Sequence, residues 1–284
     1  MKPTVQDIRN LFRMAVQEDC PGKDVTSESV VPEGDISSFR IIAKERIISC
    51  GAALAEASFK SLSSKFIFRH VSRDGIWLKK NDLFLSGKGP TKAILEAERS
   101  VLNIFQRLCG IATQTRSYVD AVKGTGTIIL DTRKTAPGMR RFEKYAVMTG
   151  GGTNHRFGLS DMVLLKENHL AIEARKGDGY IFRAVRKCRK KYPKLKIEVE
   201  IQKFTQAEEA CESGADIILL DNMSCEEIKE TVKIIRKRAK IEVSGGITLN
   251  NIRSYALPGV DYISVGALTH SFKSADLSLL IARD

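Results

Sequence analysis

The sequence lacks the features that define several large classes of protein. It has 6 Cys but no CxxC pair, and its 4 His are not spaced to complete a zinc site with them. We therefore expect free thiols in a reducing cytoplasm, without a zinc site or a disulfide scaffold. No apolar stretch approaches the roughly 18 residues of a membrane span. The N-terminal segment MKPTVQDIRNLF lacks the apolar core of a secretory signal. These absences favour a cytoplasmic protein that does not enter the membrane.

Acidic residues are also in deficit. The chain of 284 residues has 34 Asp and Glu against 46 Lys and Arg, which leaves a net charge of +12. Its hydrophobic fraction of 43% excludes intrinsic disorder, and its length allows one large domain or two small ones. An excess of cations requires an anionic partner, and composition leaves open nucleic acid, an anionic membrane or a small anionic substrate.

The first hundred residues predict a mixed α and β region. Apolar residues at helical spacing indicate amphipathic helices, and segments rich in β-branched and aromatic residues indicate strands. A further helical region is predicted after Pro90 and extends to about Val122, with a break near Gly110. The predicted helices cover 5–16 and 51–62, and the predicted strands cover 38–49 and 65–71.

From residue 126 onward, short apolar runs alternate with amphipathic helices. The runs are too short for helices and too apolar for half-exposed strands, so we expect buried parallel strands. The last three units repeat every 21 to 23 residues, which is typical of a compact β/α barrel or a doubly wound sheet. Gly-rich turns after the last two strands favour the barrel. The predicted strands cover 126–130, 162–165, 196–199, 216–220, 241–243 and 261–265.

Three helices of this region have recognisable sequence signals. Thr205 with Glu208, and Ser224 with Glu227, match the capping box at a helix start. The basic stretch 175–196 predicts a helix from about Tyr180. Its apolar side is expected to hold Ile181, Phe182, Val185 and Cys188. We interpret its cations as a solvated outer face, since nucleic-acid binding would need interleaved aromatics or a known module.

A polar or small residue follows each predicted barrel strand. If the barrel forms, these residues converge at its mouth, where barrel enzymes keep their chemistry, and make a cup for a polyanion. The six positions are Asp131, Lys166, Glu200, Asp221, Ser244 and Gly266.

Two dense motifs supply cations to this mouth. Residues 133–141 hold four cations in nine positions, including Arg133 and Lys134, which favours an anionic ligand. A solvated loop with an Asp131–Arg133 pair remains the alternative. In the segment 150–156, three glycines let backbone N–H groups approach a ligand beside His155 and Arg156. A flexible surface turn is the alternative there, and Lys166 points either to solvent or into the mouth.

The two acids at strand ends have their own range of roles. Glu200 and Asp221 can bind Mg²⁺ through oxygen ligands or stabilise a developing positive charge, with a salt bridge to Lys134 or Lys166 as the alternative. The turn Ser244-Gly245-Gly246 and Gly266 predict a phosphate site made of backbone N–H groups. GxxxxGK[ST], GxGxxG and a Ser/His/Asp elbow are all absent from the sequence.

Read together, the motifs resemble those of the quinolinate phosphoribosyltransferase family over nearly the whole chain. The matching strings, in order, are Glu18-Asp19, Asp24-x-Thr26, Glu98-Arg99, DTRKTAPG, EKYAV, GGGTNHR, LLKENH, EVE, LLDN, SGGIT and SVGALTH. The resemblance implies an N-terminal α/β sandwich domain over 1–106 and an incomplete β/α barrel of about seven strands over 107–268. The tail 269–284 is then expected to pack on the first domain.

The resemblance also implies an activity and a set of site residues. The family joins quinolinate to phosphoribosyl pyrophosphate with Mg²⁺, and releases pyrophosphate and CO2 to leave nicotinate mononucleotide. The match assigns Arg133, Lys134, His155 and Arg156 to quinolinate, and Lys134, Lys166, Glu200 and Asp221 to the phosphoribosyl group and its metal. It assigns Ser244, Gly245, Gly246 and Gly266 to the 5′-phosphate, with His270 close by. Arg99 is implied to cross to the neighbouring site of a homodimer or higher homo-oligomer.

Two other functions stay open on the sequence alone. One is a paralogous protein of the same fold from molybdenum-transport gene clusters, which tends to vary the DTRKT and KxNH strings that are nearly intact in this chain. The other is a basic nucleic-acid-binding protein, whose retention on DNA would collapse with salt.

Overall fold

The computed structural model describes residues 2–282 and resolves them into two compact units. The first unit contains the chain up to Arg116, residues 135–151 and the chain from Ser271 onward. The second contains residues 117–134 and 152–270. The boundary expected after residue 106 lies within a long helix, Thr91–Ala121, and the domain boundaries drawn from the sequence stay a prediction. Among the described residues, no helix is long and apolar enough to cross a membrane.

The first unit is built on an antiparallel sheet of four strands in the order β12-β1-β5-β3, with a small β2–β4 sheet beside it in the same unit. Strand β12 comes from the C-terminal segment and pairs with β1 so that Leu280 lies opposite Arg40. The strands are β1 (Ile36–Ala43), β2 (Ile47–Ile48), β3 (Ile67–Val71), β4 (Trp77–Leu78), β5 (Leu83–Pro90) and β12 (Leu277–Ala282). The helices are α1 (Val5–Asp19), α2 (Val25–Val30), α3 (Ala52–Leu62), α4 (Thr91–Ala121) and α5 (Arg140–Thr149).

Local signals explain most of these elements. Helix α1 begins at a capping box between Thr4 and Asp7, and buries Ile8 and Phe12 on one side, as the spacing predicts. The core of the sheet holds a cluster of phenylalanines in which Phe39 and Phe59 have ring centroids 4.9 Å apart. These contacts fix the sheet against α3.

Two sequence predictions in this unit are wrong. The single strand expected over 38–49 is two strands, because the charged residues 44–46 interrupt it. The break expected near Gly110 does not occur, and α4 is continuous. The glycine is needed for packing: a Cβ at Gly110 would collide with the carbonyl oxygen of Lys273 and crowd the backbone of Ser274. The absence of a side chain at Gly110 therefore lets residues 273–275 pass close to the helix backbone.

The second unit contains a parallel sheet of six strands in the order β6-β11-β10-β9-β8-β7, with helices between successive strands of the chain from β7 onward. All six strands predicted from the apolar runs are confirmed, as is the incomplete β/α barrel. The sheet has one strand fewer than the seven or so expected, and a single parallel bridge between Leu130 and Thr153 adjoins its β6 edge. The strands are β6 (Ile128–Leu130), β7 (Val163–Leu165), β8 (Ile197–Ile201), β9 (Ile217–Asp221), β10 (Lys240–Ser244) and β11 (Tyr262–Ser264). The helices are α6 (Glu167–Ala174), α7 (Tyr180–Lys191), α8 (Ala207–Glu212), α9 (Cys225–Ile235), α10 (Ile252–Tyr255) and α11 (Ala267–His270), with a 3₁₀ turn over Phe204–Gln206.

The predicted helix starts have different outcomes. The capping box of α9 is confirmed: the Ser224 backbone N–H donates to Glu227 Oε2 at 2.8 Å, and the Glu227 N–H donates to Ser224 Oγ at 3.3 Å. The box at Thr205 is wrong, because that residue lies inside the 3₁₀ turn. There the side chain of Gln206 accepts the backbone N–H of Lys203 at 2.9 Å, so the capping role moves to a different pair.

The basic helix α7 follows its predicted pattern with one exception. Ile181, Ala184 and Val185 are buried, whereas Phe182 is 42% exposed. Residues 181, 184 and 185 are three or four positions apart and lie on the same face of the helix, which packs inward. Position 182 lies outside that face, and Ala184 is buried there instead.

Candidate active site

A cavity of about 720 Å³ opens at the carboxyl ends of the six parallel strands. It is lined entirely by residues of the second unit. Apart from Asp131, every site residue predicted in this unit contributes to its wall, so the sequence motifs converge as expected for a barrel mouth. These residues are Arg133, Lys134, His155, Arg156, Lys166, Glu200, Asp221, Ser244, Gly245, Gly246, Gly266 and His270.

Cations crowd one side of this cavity. The backbone N–H of Arg156 donates to His155 Nδ1 at 2.7 Å, and its guanidinium donates to the carbonyl of Met162 at 3.2 Å. Burial, followed by the charge of nearby Arg133, lowers the pKa of Arg156 below its usual value. The guanidinium groups of Arg133 and Arg156 are close enough to repel each other. An anion bound between them would offset this repulsion, so the pair forms a candidate anion site.

Lys166 and Glu200 form an ion pair at the mouth. The Nζ–Oε2 distance is 3.4 Å, so the salt bridge that the sequence left open is present. The lysine side chain is 52% exposed and the glutamate only 11% exposed. Lys166 can therefore leave the pair easily, since a solvent-exposed ammonium group loses little free energy when it exchanges a carboxylate for water.

Asp221 is held more firmly. Its Oδ1 accepts from the Ser244 hydroxyl at 2.7 Å, and its Oδ2 accepts from the Asn222 amide at 2.8 Å. In the sheet, Ser244 lies directly opposite Asp221, which explains the short contact. Carboxylate oxygens have more than one lone pair, so both acids at this mouth still offer the hard oxygen ligands that Mg²⁺ prefers.

The turn after β10 depends on its glycines. Gly245 and Gly246 have φ values of +92° and +61°, a backbone conformation that residues with a side chain rarely adopt. A Cβ on Gly245 would also collide with the side chain of Asn222. The turn can thus bring backbone N–H groups close to an anion, as a phosphate site requires.

Gly266 serves a similar purpose after the last barrel strand. A Cβ at this position would lie 3.0 Å from His270 Nε2 and 3.2 Å from Lys134 Cδ. The hydroxyl of Thr269 donates to the Lys134 carbonyl at 2.7 Å, which ties the two loops together. The missing side chain therefore lets Lys134 and His270 approach each other over Gly266.

Asp131 is the strand-end residue that does not line the cavity. It is fully buried and accepts hydrogen bonds from the Asn154 amide at 2.7 Å and the His155 backbone N–H at 2.9 Å. The expectation that all six strand-end residues converge as a cup is wrong at this position. The Gly-rich loop folds over β6 at Thr153, which turns the carboxylate into an anchor for His155.

Two buried acids near the floor of the cavity were not predicted. Glu198 and Glu242 are 0% and 1% exposed, and their Oε2 atoms lie 3.1 Å and 3.5 Å from His155 Nε2. Burial and the neighbouring Glu198 raise the pKa of Glu242 to about 8, although His155 and the Ser264 hydroxyl act in the opposite direction. A signal existed in the sequence: each glutamate interrupts an apolar strand run two residues before a mouth residue, and residues two apart share a face.

Arg99 belongs to the first unit. It lies on α4 and lines a separate cavity of about 260 Å³ together with Glu18, Asp19 and Arg107. Its predicted role toward a neighbouring subunit stays a prediction.

Comparison with known proteins identifies the family. The profile described as quinolinate phosphoribosyl transferase, C-terminal domain, matches residues 111–280, and the N-terminal domain profile matches residues 24–109. A probable nicotinate-nucleotide pyrophosphorylase [carboxylating] of Bacillus subtilis is 40% identical over 96% of this chain and 92% of its own. The corresponding Mycobacterium leprae protein is 37% identical over 95% and 96%. The crystal structure of NadC from Streptococcus pyogenes superposes with a TM-score of 0.92 at 36% identity, covering 100% of both chains. The chain belongs to the quinolinate phosphoribosyltransferase family.

Proposed function

We propose that this chain transfers the phosphoribosyl group of phosphoribosyl pyrophosphate to quinolinate. The products are nicotinate mononucleotide, pyrophosphate and CO2, and the reaction belongs to NAD biosynthesis. The observation that carries the proposal is the composition of the cavity at the barrel mouth. Its cations suit a dicarboxylate, and its two carboxylates suit a developing positive charge. Its glycine turn suits a phosphate. Family membership, shown by matches over residues 24–109 and 111–280, supports the same reaction.

The cationic side is assigned to quinolinate. Arg133 and Arg156 face the two ring carboxylates beside His155, with Lys134 and Lys166 between the ring and the sugar phosphate. Planar guanidinium groups fit carboxylates with two parallel hydrogen bonds, which fixes the ring in register with the sugar. Such positioning of two reactants is worth several kcal/mol in favourable cases. Lys166 reaches the substrate by leaving its 3.4 Å pair with Glu200.

The glycine turns are assigned to the 5′-phosphate. Ser244, Gly245, Gly246 and Gly266 offer backbone N–H groups, and His270 lies beside Gly266. Backbone donors suit this group because they are fixed in place and cannot be lost to solvent motion.

The two acids are assigned to the sugar. Departure of pyrophosphate leaves positive charge on the ribose, and the carboxylates of Glu200 and Asp221 stabilise it from fixed positions. The same carboxylates would hold Mg²⁺, which when bound neutralises charge on the departing diphosphate. Lys134 and Lys166 complete the reacting centre. Loss of CO2 then leaves an electron pair on the ring carbon, which the surrounding cations stabilise until a proton from solvent takes the place of the carboxyl group.

Assembly and location form the last part of the proposal. We assign the chain to a cytoplasmic homodimer or higher homo-oligomer in which Arg99 completes the neighbouring site. A complementation experiment tests this assignment. Arg99→Ala and Lys134→Ala are each expected to be inactive alone, and mixed oligomers should regain activity, because one site then has both residues. Mixed oligomers without activity would contradict the crossing of Arg99.

Turnover tests the reaction itself. Purified protein with Mg²⁺ should consume quinolinate and phosphoribosyl pyrophosphate and release CO2 and pyrophosphate in equal amounts. Lys134→Ala and Glu200→Ala should each lower kcat/KM by about a hundredfold or more with an unchanged circular dichroism spectrum. Glu208→Ala, which breaks an exposed pair with Arg238, is the control. Turnover of nicotinate or another pyridine acid in place of quinolinate would refute the substrate assignment, and unchanged rates in both site variants would refute the residue assignment.

A further inference from the structure

The buried acid pair, Glu198 and Glu242, has a geometry that the reaction described above does not use. Glu198 lies on β8 two residues before Glu200, and Glu242 lies on β10 two residues before Ser244. Both side chains therefore point into the barrel, one layer below the mouth. Glu242 lines the cavity, whereas Glu198 is fully buried and does not line it.

The carboxylate oxygens of the pair lack conventional hydrogen bonds. By strict geometry, none of the four carboxyl oxygens of Glu198 and Glu242 has a well-aligned donor within the described part of the chain. Their polar neighbours are each other, the Ser264 hydroxyl beside Glu242, and His155 Nε2, which lies 3.1 Å and 3.5 Å from their Oε2 atoms. Buried acids without good donors are costly, so their presence calls for a role other than stabilisation of the fold.

The His155 ring has a defined direction. Its Nδ1 accepts the backbone N–H of Arg156 at 2.7 Å, so the ring proton is on Nε2, where it faces the acid pair. The three groups lie within 4.8 Å of one another, as metal ligands would, but an Nε2 that carries a proton has no lone pair for a metal. The geometry thus favours close polar contacts between the ring N–H and the acids over a metal site.

This ring also connects the acids to the cationic side of the cavity. Its Nδ1 anchors the backbone of Arg156, while the backbone of His155 is anchored on Asp131 at 2.9 Å. The charge of Glu198 also acts on the Arg156 guanidinium, where it favours the charged form. A shift of the ring would therefore move the Arg156 backbone and weaken the fixed arrangement of cations that a rigid dicarboxylate needs.

We propose that Glu198 and Glu242 are positioning residues for quinolinate, which act by holding the His155 ring and, through it, Arg156. The inference rests on the proposed function for the identity of the ligand. Neither acid needs to touch quinolinate, and Glu198 does not line the cavity.

Matched substitutions at Glu198 separate this role from a merely structural one. Glu198→Met removes the acceptor but keeps the volume, and it should weaken quinolinate binding by about tenfold or more in calorimetric titration. Glu198→Gln keeps an acceptor for Nε2–H and should rescue binding to within about threefold of the wild type. The KM for phosphoribosyl pyrophosphate should stay unchanged in both variants, and Glu208→Met is the surface control.

A double-mutant cycle tests the route through the ring. In a His155→Ala background, Glu198→Met should weaken quinolinate binding much less than it does in the wild type, since only the direct action of Glu198 on Arg156 remains. Additive effects of the two changes, or equal losses in Glu198→Met and Glu198→Gln, would overturn the proposal.

A nitrogen NMR spectrum of the four histidines keeps the inference testable if quinolinate is not the substrate. The wild type should show His155 protonated at Nε2 and unprotonated at Nδ1, and Glu198→Met should shift the His155 Nε2–H resonance, because the carboxyl oxygen nearest to it is gone. An unchanged His155 signal in Glu198→Met would overturn the proposal. Failure of the wild type to bind or convert quinolinate, with the expected shift of the His155 resonance present, would instead refute the proposed function.

Discussion

Replacing Glu242 with Gln should stabilise the protein at alkaline pH while leaving its stability in acid unchanged. Burial, together with the charge of Glu198, raises the pKa of Glu242 from 4.5 to about 8 in the folded chain. Between these two values the folded protein retains a proton that the unfolded chain has lost. Stability conferred by this proton is complete below about pH 4.5 and is lost as pH rises toward about 8.

The size of the effect follows from the same two values. Each pH unit between them costs about 1.4 kcal/mol, so the wild type should have lost on the order of 3 kcal/mol from this group by about pH 7. Glutamine has nearly the same shape and does not ionise, so Glu242→Gln should not show this loss. The groups that face Glu242 are Glu198, His155 and Ser264, and their net contribution is already included in its raised pKa.

Urea unfolding of both proteins at about pH 5, 7 and 9 measures the difference. The free energy of unfolding of Glu242→Gln should rise relative to the wild type from the first pH to the last. Glu208→Gln is the control, because ion pairing with Arg238 lowers the pKa of Glu208, and its difference from the wild type should be constant above about pH 5. Parallel curves for Glu242→Gln and the wild type would refute the assignment of the raised pKa to Glu242.

Other substitutions test further parts of the structure. Gly245→Ala should raise the KM for phosphoribosyl pyrophosphate by about tenfold or more in steady-state kinetics, because its backbone has φ +92° and a Cβ would meet Asn222; an unchanged KM would contradict the phosphate site. Ser224→Ala should lower the free energy of unfolding by about 1 kcal/mol through loss of the helix cap, with unchanged turnover. Arg107→Ala leaves the fully buried Glu143 without its cation and should cost about 3 kcal/mol in urea unfolding, whereas an intact unfolding midpoint would show that the pair contributes little. Removal of divalent metal with a chelator should abolish turnover and Mg²⁺ should restore it, if the proposed Mg²⁺ requirement is correct.

The barrel strands were predictable because burial on both faces leaves a strong apolar signal. Each of the six runs became a strand, and the residues at their ends lie at one mouth because parallel strands end at the same edge. The exception, Asp131, depends on the loop that returns to β6 through Thr153, and a contact between residues so far apart leaves no local pattern.

Tertiary packing accounts for what the sequence did not predict. Gly110 ordinarily weakens a helix, but in α4 it admits a distant segment of the chain, which local propensity does not report. The acids Glu198 and Glu242 were included in apolar runs because single charges in a hydrophobic strand do not alter its type. Their spacing two residues before a mouth residue places them on the inner face, but their closeness to each other and to His155 is known only from the positions of both strands.

The pairing of β12 with β1 has a consequence for how the protein is made. Leu280 lies opposite Arg40, so a strand over residues 277–282 completes a sheet whose first strand precedes it by more than 200 residues. During synthesis, that edge of β1 therefore stays uncovered until residues 277–282 have emerged from the ribosome. An open edge strand is a template for pairing with other chains, and contacts over such a sequence distance form slowly. Nascent chains that stall before residue 277 should accordingly depend on chaperones to remain unaggregated.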